Sequence, residues 1–543
     1  MSTPEIARAN FDTWRALAGR NTYESDSHLA SLLRFHGREE HAPALREFAG
    51  VCEDLDALIN ENNRDENLPV LRRWDGQGKR VEAVAFHPTY HQIGRALYAS
   101  GVMSRYAQVG REFETMTLAY TAGQNGEAGH CCPFACTAGL IKILQNGDGS
   151  APAEWLPRLL DPNYDTHFHG AQFLTEVQGG SDVGANFVRA EPAGDGSYRI
   201  TGEKWFCSVV DAQLMLVTAR VGDDKGTRGV MAFGVPRLLD DGRVNDFAIR
   251  RLKFKLGTKS MASGEIDFEG AWAWPLGSFK DTVEVVLNTS RLYNAIISCG
   301  IMQRAVREAS AYARTRTSWG QPILRYPSVA RTIAELKTQA YAARSVTFWL
   351  SAMADRDALG QLSTDEQQAW RMLVNLNKFW TSFQCTASIR DAIEVLGGNG
   401  AIEEFSVLPR LLRDSIVCEQ WEGPHNILCA QVLRDSARLG LHEPMFRVLE
   451  ALVGPTDELQ RARARWDQLL QMPPALQTAH VRDVAIELQI AVQATLLAAE
   501  AKAPGTDPML PVIVEHFRTS NARGYDPLAD TGLLKRVVAI VAE

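Results

Sequence analysis

Short β-rich runs crowd into one interval of this chain, residues 167 to 278, between two long stretches with helical periodicity. That order limits the possible folds more than any single motif does. Gly194-Asp195-Gly196 marks a turn, and Ser197-Tyr198-Arg199-Ile200-Thr201-Gly202 follows as an alternating strand with a glycine stop. Leu214 to Ala219, Gly229 to Val235 and Gly264 to Phe268 are further runs, and their spacing predicts a small β-barrel or sandwich. Upstream, Ala44 to Glu61 and Tyr90 to Leu118 place apolar residues three and four apart, so residues 1 to about 165 are expected to be mainly helical. Downstream, Arg291 to Thr315 and Tyr326 to Asp355 are long amphipathic stretches. Ser363-Thr364-Asp365-Glu366 is a capping box that opens another helix, and Gly397-Gly398-Asn399-Gly400 ends it. Helices of this length in series predict an antiparallel bundle. The expected class is therefore α+β, mainly α. An N-terminal helical domain (1–166) precedes a middle β-barrel or sandwich (167–278), a C-terminal four-helix bundle (279–442) and a helical C-terminal extension (443–543). A chain of 543 residues is too long for one core, which agrees with several domains.

The net charge of -8 argues against a protein that coats nucleic acid or anionic membrane. No run approaches 18 apolar residues, so membrane insertion is not expected. Met1-Ser2-Thr3-Pro4-Glu5 leads into charged sequence with no cleavable signal, and a cytoplasmic location is the expectation. Nine cysteines (Cys52, Cys131, Cys132, Cys136, Cys207, Cys299, Cys385, Cys418 and Cys429) form no CxxC pair. An odd, scattered set supports neither a disulfide framework nor a zinc site. Cys132 and Cys136 could meet on a helix, but small buried apolar residues account for them better.

Three pieces carry chemistry. Residues 174 to 183 read Leu-Thr-Glu-Val-Gln-Gly-Gly-Ser-Asp-Val, a glycine loop rich in hydroxyls. Residues 202 to 208 read Gly-Glu-Lys-Trp-Phe-Cys-Ser, an aromatic strand ending in a hydroxyl. Far downstream, Gln420-Trp421-Glu422-Gly423-Pro424-His425-Asn426 sets one carboxylate on an aromatic-glycine turn. A flavin ring needs a flat apolar wall and hydrogen-bond donors to steady its charge on reduction, and a carboxylate can serve as base beside it. Taken singly, the loop is an ordinary Gly-Gly hairpin, Phe206 a core residue and Glu422 a surface acid near a helix start. The ordered set points to flavin redox chemistry.

That set resembles the acyl-CoA dehydrogenase flavoprotein superfamily. The markers are Thr175-Glu176-Val177-Gln178-Gly179-Gly180-Ser181-Asp182, Gly202-Glu203-Lys204-Trp205-Phe206, Arg316-Thr317-Ser318-Trp319-Gly320, Gly397-Gly398-Asn399-Gly400 and Trp421-Glu422-Gly423. They cover roughly residues 70 to 440. Phe86-His87-Pro88 with His91, the Gln-Gly-Gly-Ser-Asp loop, Trp421 before Glu422 and the C-terminal extension resemble the AidB-like branch. The resemblance implies FAD as cofactor. Thr175 would meet the pyrimidine edge, Phe206 would stack on the ring, Ser208 would donate near N5 and Ser181 would contact the pyrophosphate. From a neighbouring subunit, Arg316 would pair with the pyrophosphate, Trp319 would pack near adenine, and Gly397, Gly398 and Gly400 would let backbone approach the cofactor. Asn426 would add a cofactor contact. Pro327 stands where many members carry Gln, and proline has no N–H to offer there.

The implied reaction is oxidation of an acyl-CoA thioester to a 2-enoyl-CoA. Glu422 would remove the α-proton, the β-hydride would go to flavin N5, and an electron-transfer flavoprotein would take the electrons. Arg291 would contact CoA at the substrate end. Inter-subunit cofactor contacts imply a homo-oligomer, and a dimer of dimers is expected. An AidB-type association with DNA ranks second, because residues 441 to 543 hold 10 Lys+Arg against 13 Asp+Glu, a net of -3. Arg461, Arg463 and Arg465 are the only local basic cluster in that tail. A flavin oxidase on the same scaffold is the third alternative. No metal is expected: His87 and His91 lie four apart, but nothing is spaced to complete a site.

Overall fold

Alternation in Tyr198-Arg199-Ile200-Thr201 gives one strand an apolar face, and that strand is central to a seven-stranded sheet. The computed structural model describes residues 3–542, and they fall into two compact units that interleave along the chain. One, the β unit, is built from Ala57–Arg111 and Glu127–Tyr293. The other, the helical unit, takes the chain up to Asp56, then Glu112–Gly126, then everything from Asn294 onward.

In the β unit, β1 (Val70–Trp74) and β2 (Arg80–Ala85) form a hairpin. The main sheet comprises β3 (Gly170–Phe173), β4 (Arg189–Pro192), β5 (Tyr198–Ser208), β6 (Leu214–Arg220), β7 (Val230–Pro236), β8 (Phe247–Leu252) and β9 (Ser263–Ser278). Its order is β3-β6-β4-β5-β9-β7, with β8 on β9, and an added β6–β7 pairing closes the path into a ring. The barrel interior holds Phe173, Ile200, Val217, Phe233, Phe247, Ile266 and Phe268, all buried. Asp195 fixes the turn into β5, where the Ser197 N–H donates to its Oδ1 at 2.9 Å. The pairing of β5 with β9 shifts register between Lys204 and Cys207. An irregularity there re-aims Trp205 and Phe206.

Two features of the first 165 residues depart from the helical expectation. The β1–β2 hairpin is one; its turn is Asp75-Gly76-Gln77-Gly78, with the N–H groups of Gln77 and Lys79 both donating to Asp75 Oδ1 at 2.8 Å. Glu82 on β2 is wholly buried, accepts from Arg73 and Arg80, and takes the Ile249 N–H of β8 at 2.9 Å. The hairpin is thereby stitched to the barrel. The other departure is that Tyr90 to Leu118 is not one helix. Helices Pro88–Ala99 and Glu112–Gly123 are separated by a 3-10 turn and by Gly101 and Gly110, both at φ 79, a conformation that ends a right-handed helix.

The helical unit is built of long helices where the amphipathic stretches predict them. Pro327–Ala358 and Thr364–Leu396 are its longest, preceded by the part of Asn288–Thr315 that lies in this unit. Ser363 and Glu366 form the anticipated reciprocal cap, and Gly397 at φ 60 ends that helix. Leu408–Gln420 and His425–Leu439 follow. The extension adds five more helices from His442 to Val541. One of them, Pro474–Lys502, is long and apolar enough to cross a membrane, yet 72% of its most apolar stretch is buried, as in a core helix. Asp507 ties the extension in, accepting from Ser27 Oγ at 2.6 Å and Tyr341 OH at 2.8 Å. All nine cysteines are buried, and none is in a disulfide.

A histidine cluster in the β unit makes acid stability predictable. His130 stacks on Tyr90 at 4.2 Å, and its Nε2 lies 2.9 Å from the Tyr90 carbonyl; Tyr98 OH lies 3.0 Å from His169 Nδ1. Burial pushes His130 and His167 down to about 4, and His169 well below its usual range. These imidazoles stay neutral in the fold but take up protons once unfolded. Their contribution is therefore full above about pH 6.5 and is lost as pH falls toward 4. Asp211 and Asp355, raised to about 6, and Glu500, raised to about 8, work in the opposite direction through burial, but the histidines held low by burial, which include His28 and His36 as well, outnumber them. Thermal melts between pH 7.5 and 4.5 should show a steep fall in Tm below pH 6.5, and His130→Phe should flatten it.

Candidate active site

A glycine loop cannot hold itself in one shape, so the Leu174–Val188 segment needs an anchor. Glu176 supplies it. Its carboxylate is buried and accepts the backbone N–H of Phe187 at 2.6 Å, that of Val188 at 3.2 Å, and Nε2 of Gln178 at 2.9 Å. Lys204 of β5, wholly buried, places Nζ 2.9 Å from Glu176 Oε1 and donates also to the Leu174 carbonyl at 3.1 Å. Burial alone would raise the Glu176 carboxyl, but Lys204 and the N–H donors hold it below the usual carboxylate range. Burial also lowers the Lys204 ammonium, and the pair only partly offsets this. The Trp205 N–H donates to the Thr175 carbonyl at 2.9 Å, so loop and strand are joined beside Thr175 and Phe206.

Around that junction the β unit leaves its aromatic residues open. Phe206 is 51% exposed and Phe187 is 78% exposed. Ser208 Oγ lies 3.2 Å from Ser263 Oγ on β9, and Lys255 Nζ donates to that same Ser263 at 3.0 Å. Lys253 Nζ stands 3.4 Å above the Trp205 ring and 4.9 Å from Phe206, and pairs with Glu265 at 2.7 Å. A cavity of about 170 Å³ here is lined by Leu252, Lys253, Phe254, Met261 and Ser263. Ser181 is exposed on the loop. A Cβ at Gly180 would lie 2.4 Å from Thr175 Oγ1, so that position requires glycine.

The helical unit carries the other candidates. Glu422 follows the Leu408–Gln420 helix with φ 57, a left-handed conformation rare for a non-glycine residue. The Trp421 indole N–H donates to its Oε1 at 3.1 Å. Asn426 is exposed in the first turn of His425–Leu439. Arg316 caps the Asn288–Thr315 helix, its N–H donating to the Tyr312 carbonyl at 2.8 Å. Asn399 Nδ2 donates to the Tyr312 hydroxyl at 3.0 Å, which brings the Gly397–Gly400 turn beside the Arg316 end of that helix. Trp319 is 89% exposed at φ 46. No atom lies within 4 Å of a Cβ built on Gly397 or Gly398, so backbone there is open to close approach, whereas Gly400 packs on Ile393. Pro327 is the first residue of its helix.

Some candidates turn inward. Arg291, in the β unit, is buried, with Nη1 donating to Asn288 Oδ1 at 3.1 Å. His87 caps Pro88–Ala99 through Thr89, and His91 Nδ1 lies 3.0 Å from the Tyr164 hydroxyl, so both act in the scaffold. The C-terminal arginines are matched by acids: Arg463 with Glu443 and Glu450, Arg465 with Glu487. Sequence motifs gave no role to Lys253, Ser263, Lys378 or Glu419. For Lys378 the available signal was a lysine set beside the apolar residues in Asn377-Lys378-Phe379-Trp380 of a helix.

Exposed aromatic faces, hydroxyls, open glycines and a forked guanidinium fit a flavin dinucleotide in chemical type. A helical and barrel architecture with these two motif groups is the acyl-CoA dehydrogenase fold. Residues 13–166 match the family model Adaptive response protein AidB N-terminal domain. Residues 171–271 match Acyl-CoA dehydrogenase, middle domain, and 280–437 match Acyl-CoA dehydrogenase, C-terminal domain. The chain is 32% identical over 480 residues to the putative acyl-CoA dehydrogenase AidB of Escherichia coli (strain K12), covering 84% of this chain and 86% of that protein. It is 30% identical to acyl-CoA dehydrogenase family member 11 of Caenorhabditis elegans over 66% of this chain and 61% of that one. Among solved structures, Bd2924 in its apo form superposes with TM-score 0.82 at 25% identity, covering 89% and 98% of the two chains. Caenorhabditis elegans ACDH-11 in complex with C11-CoA gives 0.81 at 24%, covering 92% and 90%. The chain belongs to the acyl-CoA dehydrogenase family of flavin oxidoreductases acting on CH–CH bonds, in its AidB-like branch.

The loop anchor is testable. Lys204→Met leaves Glu176 buried without its cation, and breaking such a pair costs about 3–5 kcal/mol. Urea unfolding should register a loss of that size, with faster proteolysis of the 174–188 loop.

Proposed function

We propose that this chain is an FAD-dependent dehydrogenase that converts a saturated acyl-CoA thioester into its 2-enoyl-CoA. Glu422 is the general base and takes the α-proton. FAD, when bound, supplies at N5 the acceptor for the β-hydride. The observation that carries the reading is Glu422 itself: a carboxylate on a backbone at φ 57, next to an indole donor, in a family whose reaction needs one base. Strain of that kind costs about 1–3 kcal/mol and persists where surrounding structure imposes it, often at functional sites. A carboxylate is a weak base in water. Enclosure by an acyl chain and apolar walls would raise its proton affinity toward that of the thioester α-carbon.

The other roles follow the chain's own chemistry. Thr175 and Ser208 are donors for the polar edges of the ring, Phe206 is its apolar wall, and Ser181 faces the pyrophosphate. Arg316 would offer a fork for the diphosphate of a second subunit, Trp319 a face for its adenine, and Gly397 and Gly398 a close backbone, with Gly400 packed on Ile393 behind them and Asn426 adding a polar contact. The exposure of Trp319 supports a role in a homo-oligomer, a dimer of dimers in this proposal. An electron-transfer flavoprotein is the proposed acceptor of the electrons. The acid-matched arginines of the extension offer little net positive field, which disfavours a DNA-binding reading.

Undecanoyl-CoA, a probe of the C11-CoA type, should bleach the flavin of the purified yellow protein. Glu422→Gln should retain FAD yet lower the bleaching rate by at least about 10²-fold, the usual contribution of a general base. Wild-type bleaching by that variant would refute the assignment.

A further inference from the structure

Lysine tolerates burial poorly, because its ammonium gives up water. Lys378 is nevertheless wholly buried, midway along Thr364–Leu396. Its Nζ donates to the carbonyl of Glu419 at 3.0 Å and to that of Gly423 at 2.9 Å. Those two carbonyls bracket Glu422: one belongs to the last turn of the preceding helix, the other to Gly423, the residue after the glutamate. The Glu419 side chain is gripped as well. Thr386 Oγ1, on the same helix as Lys378, donates to one carboxylate oxygen at 2.5 Å, and His425 Nε2 lies 2.8 Å from the other. Burial would raise the Glu419 carboxyl, but the bonds from His425 and Thr386 and the nearby Lys378 charge hold it below its usual value. The turn from 419 to 425 is thus fastened at both ends, and between the fastenings Glu422 at φ 57 and Gly423 at φ 108 both take positive φ, which is costly only for the glutamate.

We propose that Lys378 is a positioning residue for the general base. Its ammonium joins the carbonyls on either side of Glu422 and holds the turn that aims the carboxylate; Glu419, held by Thr386 and His425, completes the clamp. The role rests on Glu422 being the base. It differs from a helix cap in its consequence: a cap lost elsewhere lowers stability, whereas a loosened Glu422 turn lowers the chemical step at saturating substrate. A small misplacement of a reacting group can cost up to about 10²-fold in rate.

The test uses FAD-loaded full-length protein, with undecanoyl-CoA as probe and hydrogen exchange of the 419–426 amides as a readout independent of catalysis. In Lys378→Met, FAD content should stay near wild type and exchange across 419–426 should accelerate about tenfold or more. Single-turnover flavin reduction at saturating substrate should slow about tenfold or more, while the half-saturating concentration shifts less than about threefold. A folded Lys378→Met with wild-type exchange and wild-type reduction overturns the proposal. If that variant does not fold, Glu419→Gln decides: faster exchange with slower reduction supports the clamp, and wild-type values for both overturn it. Failure of undecanoyl-CoA and other thioesters to bleach the wild-type flavin would count against the base reading, and the exchange result would still decide whether Lys378 holds the turn.

Discussion

One buried ion pair, Glu176 with Lys204, fixes the glycine loop of the β unit. A carboxylate surrounded by two backbone N–H groups, a glutamine amide and an ammonium leaves the glycine loop a single way to lie. Such a pair adds little net stability over an apolar substitute, since both charges surrender water. Its value is specificity: the same Lys204 sits on the strand whose next two residues, Trp205 and Phe206, are turned outward by a register shift. Loop and wall are therefore set by one contact, and neither can drift without unpairing a charge in the interior.

The helical unit uses the same physics in a second form. Lys378 is buried against carbonyls rather than a carboxylate, and what it fixes is a backbone conformation. Among the described residues, five that are not glycine have positive φ, and Trp319 and Glu422 are two of them. A third, Val209, directly follows Ser208. Strain thus gathers near residues with chemical assignments, while Glu82 shows that it also serves the scaffold, where its buried carboxylate ties a hairpin to a barrel strand.

Periodicity and punctuation made much of the fold legible. The strand alternation at Tyr198–Ser208, the cap at Ser363 and the glycine stop at Gly397 are local effects, and each appears where its residues lie. The β1–β2 hairpin was missed although Asp75-Gly76-Gln77-Gly78 signals a turn, because β1 turns Val70 and Trp74 outward and sets Arg73 beside Leu71 on its inner face, so no apolar-in, polar-out alternation marks it. Tyr90 to Leu118 kept helical spacing across two glycines whose backbone sign is invisible in sequence. Within the site, Thr175, Phe206 and Glu422 stand in contiguous motifs. Lys378 does not: it lies 41 and 45 residues from the atoms it holds, a relation that only folding creates.

The chain crosses between its two units four times, after Asp56, Arg111, Gly126 and Tyr293. Order of synthesis then matters. The β unit has all its segments once Tyr293 has been made, whereas the first 56 residues and the short Glu112–Gly126 segment must wait for partners encoded after Asn294. Until those arrive, the apolar faces of the early helices lack their final cover, which is the state in which long-range folds aggregate. No contiguous fragment carries the whole helical unit, so dissection into independently expressed halves would leave those early helices with nothing to pack against.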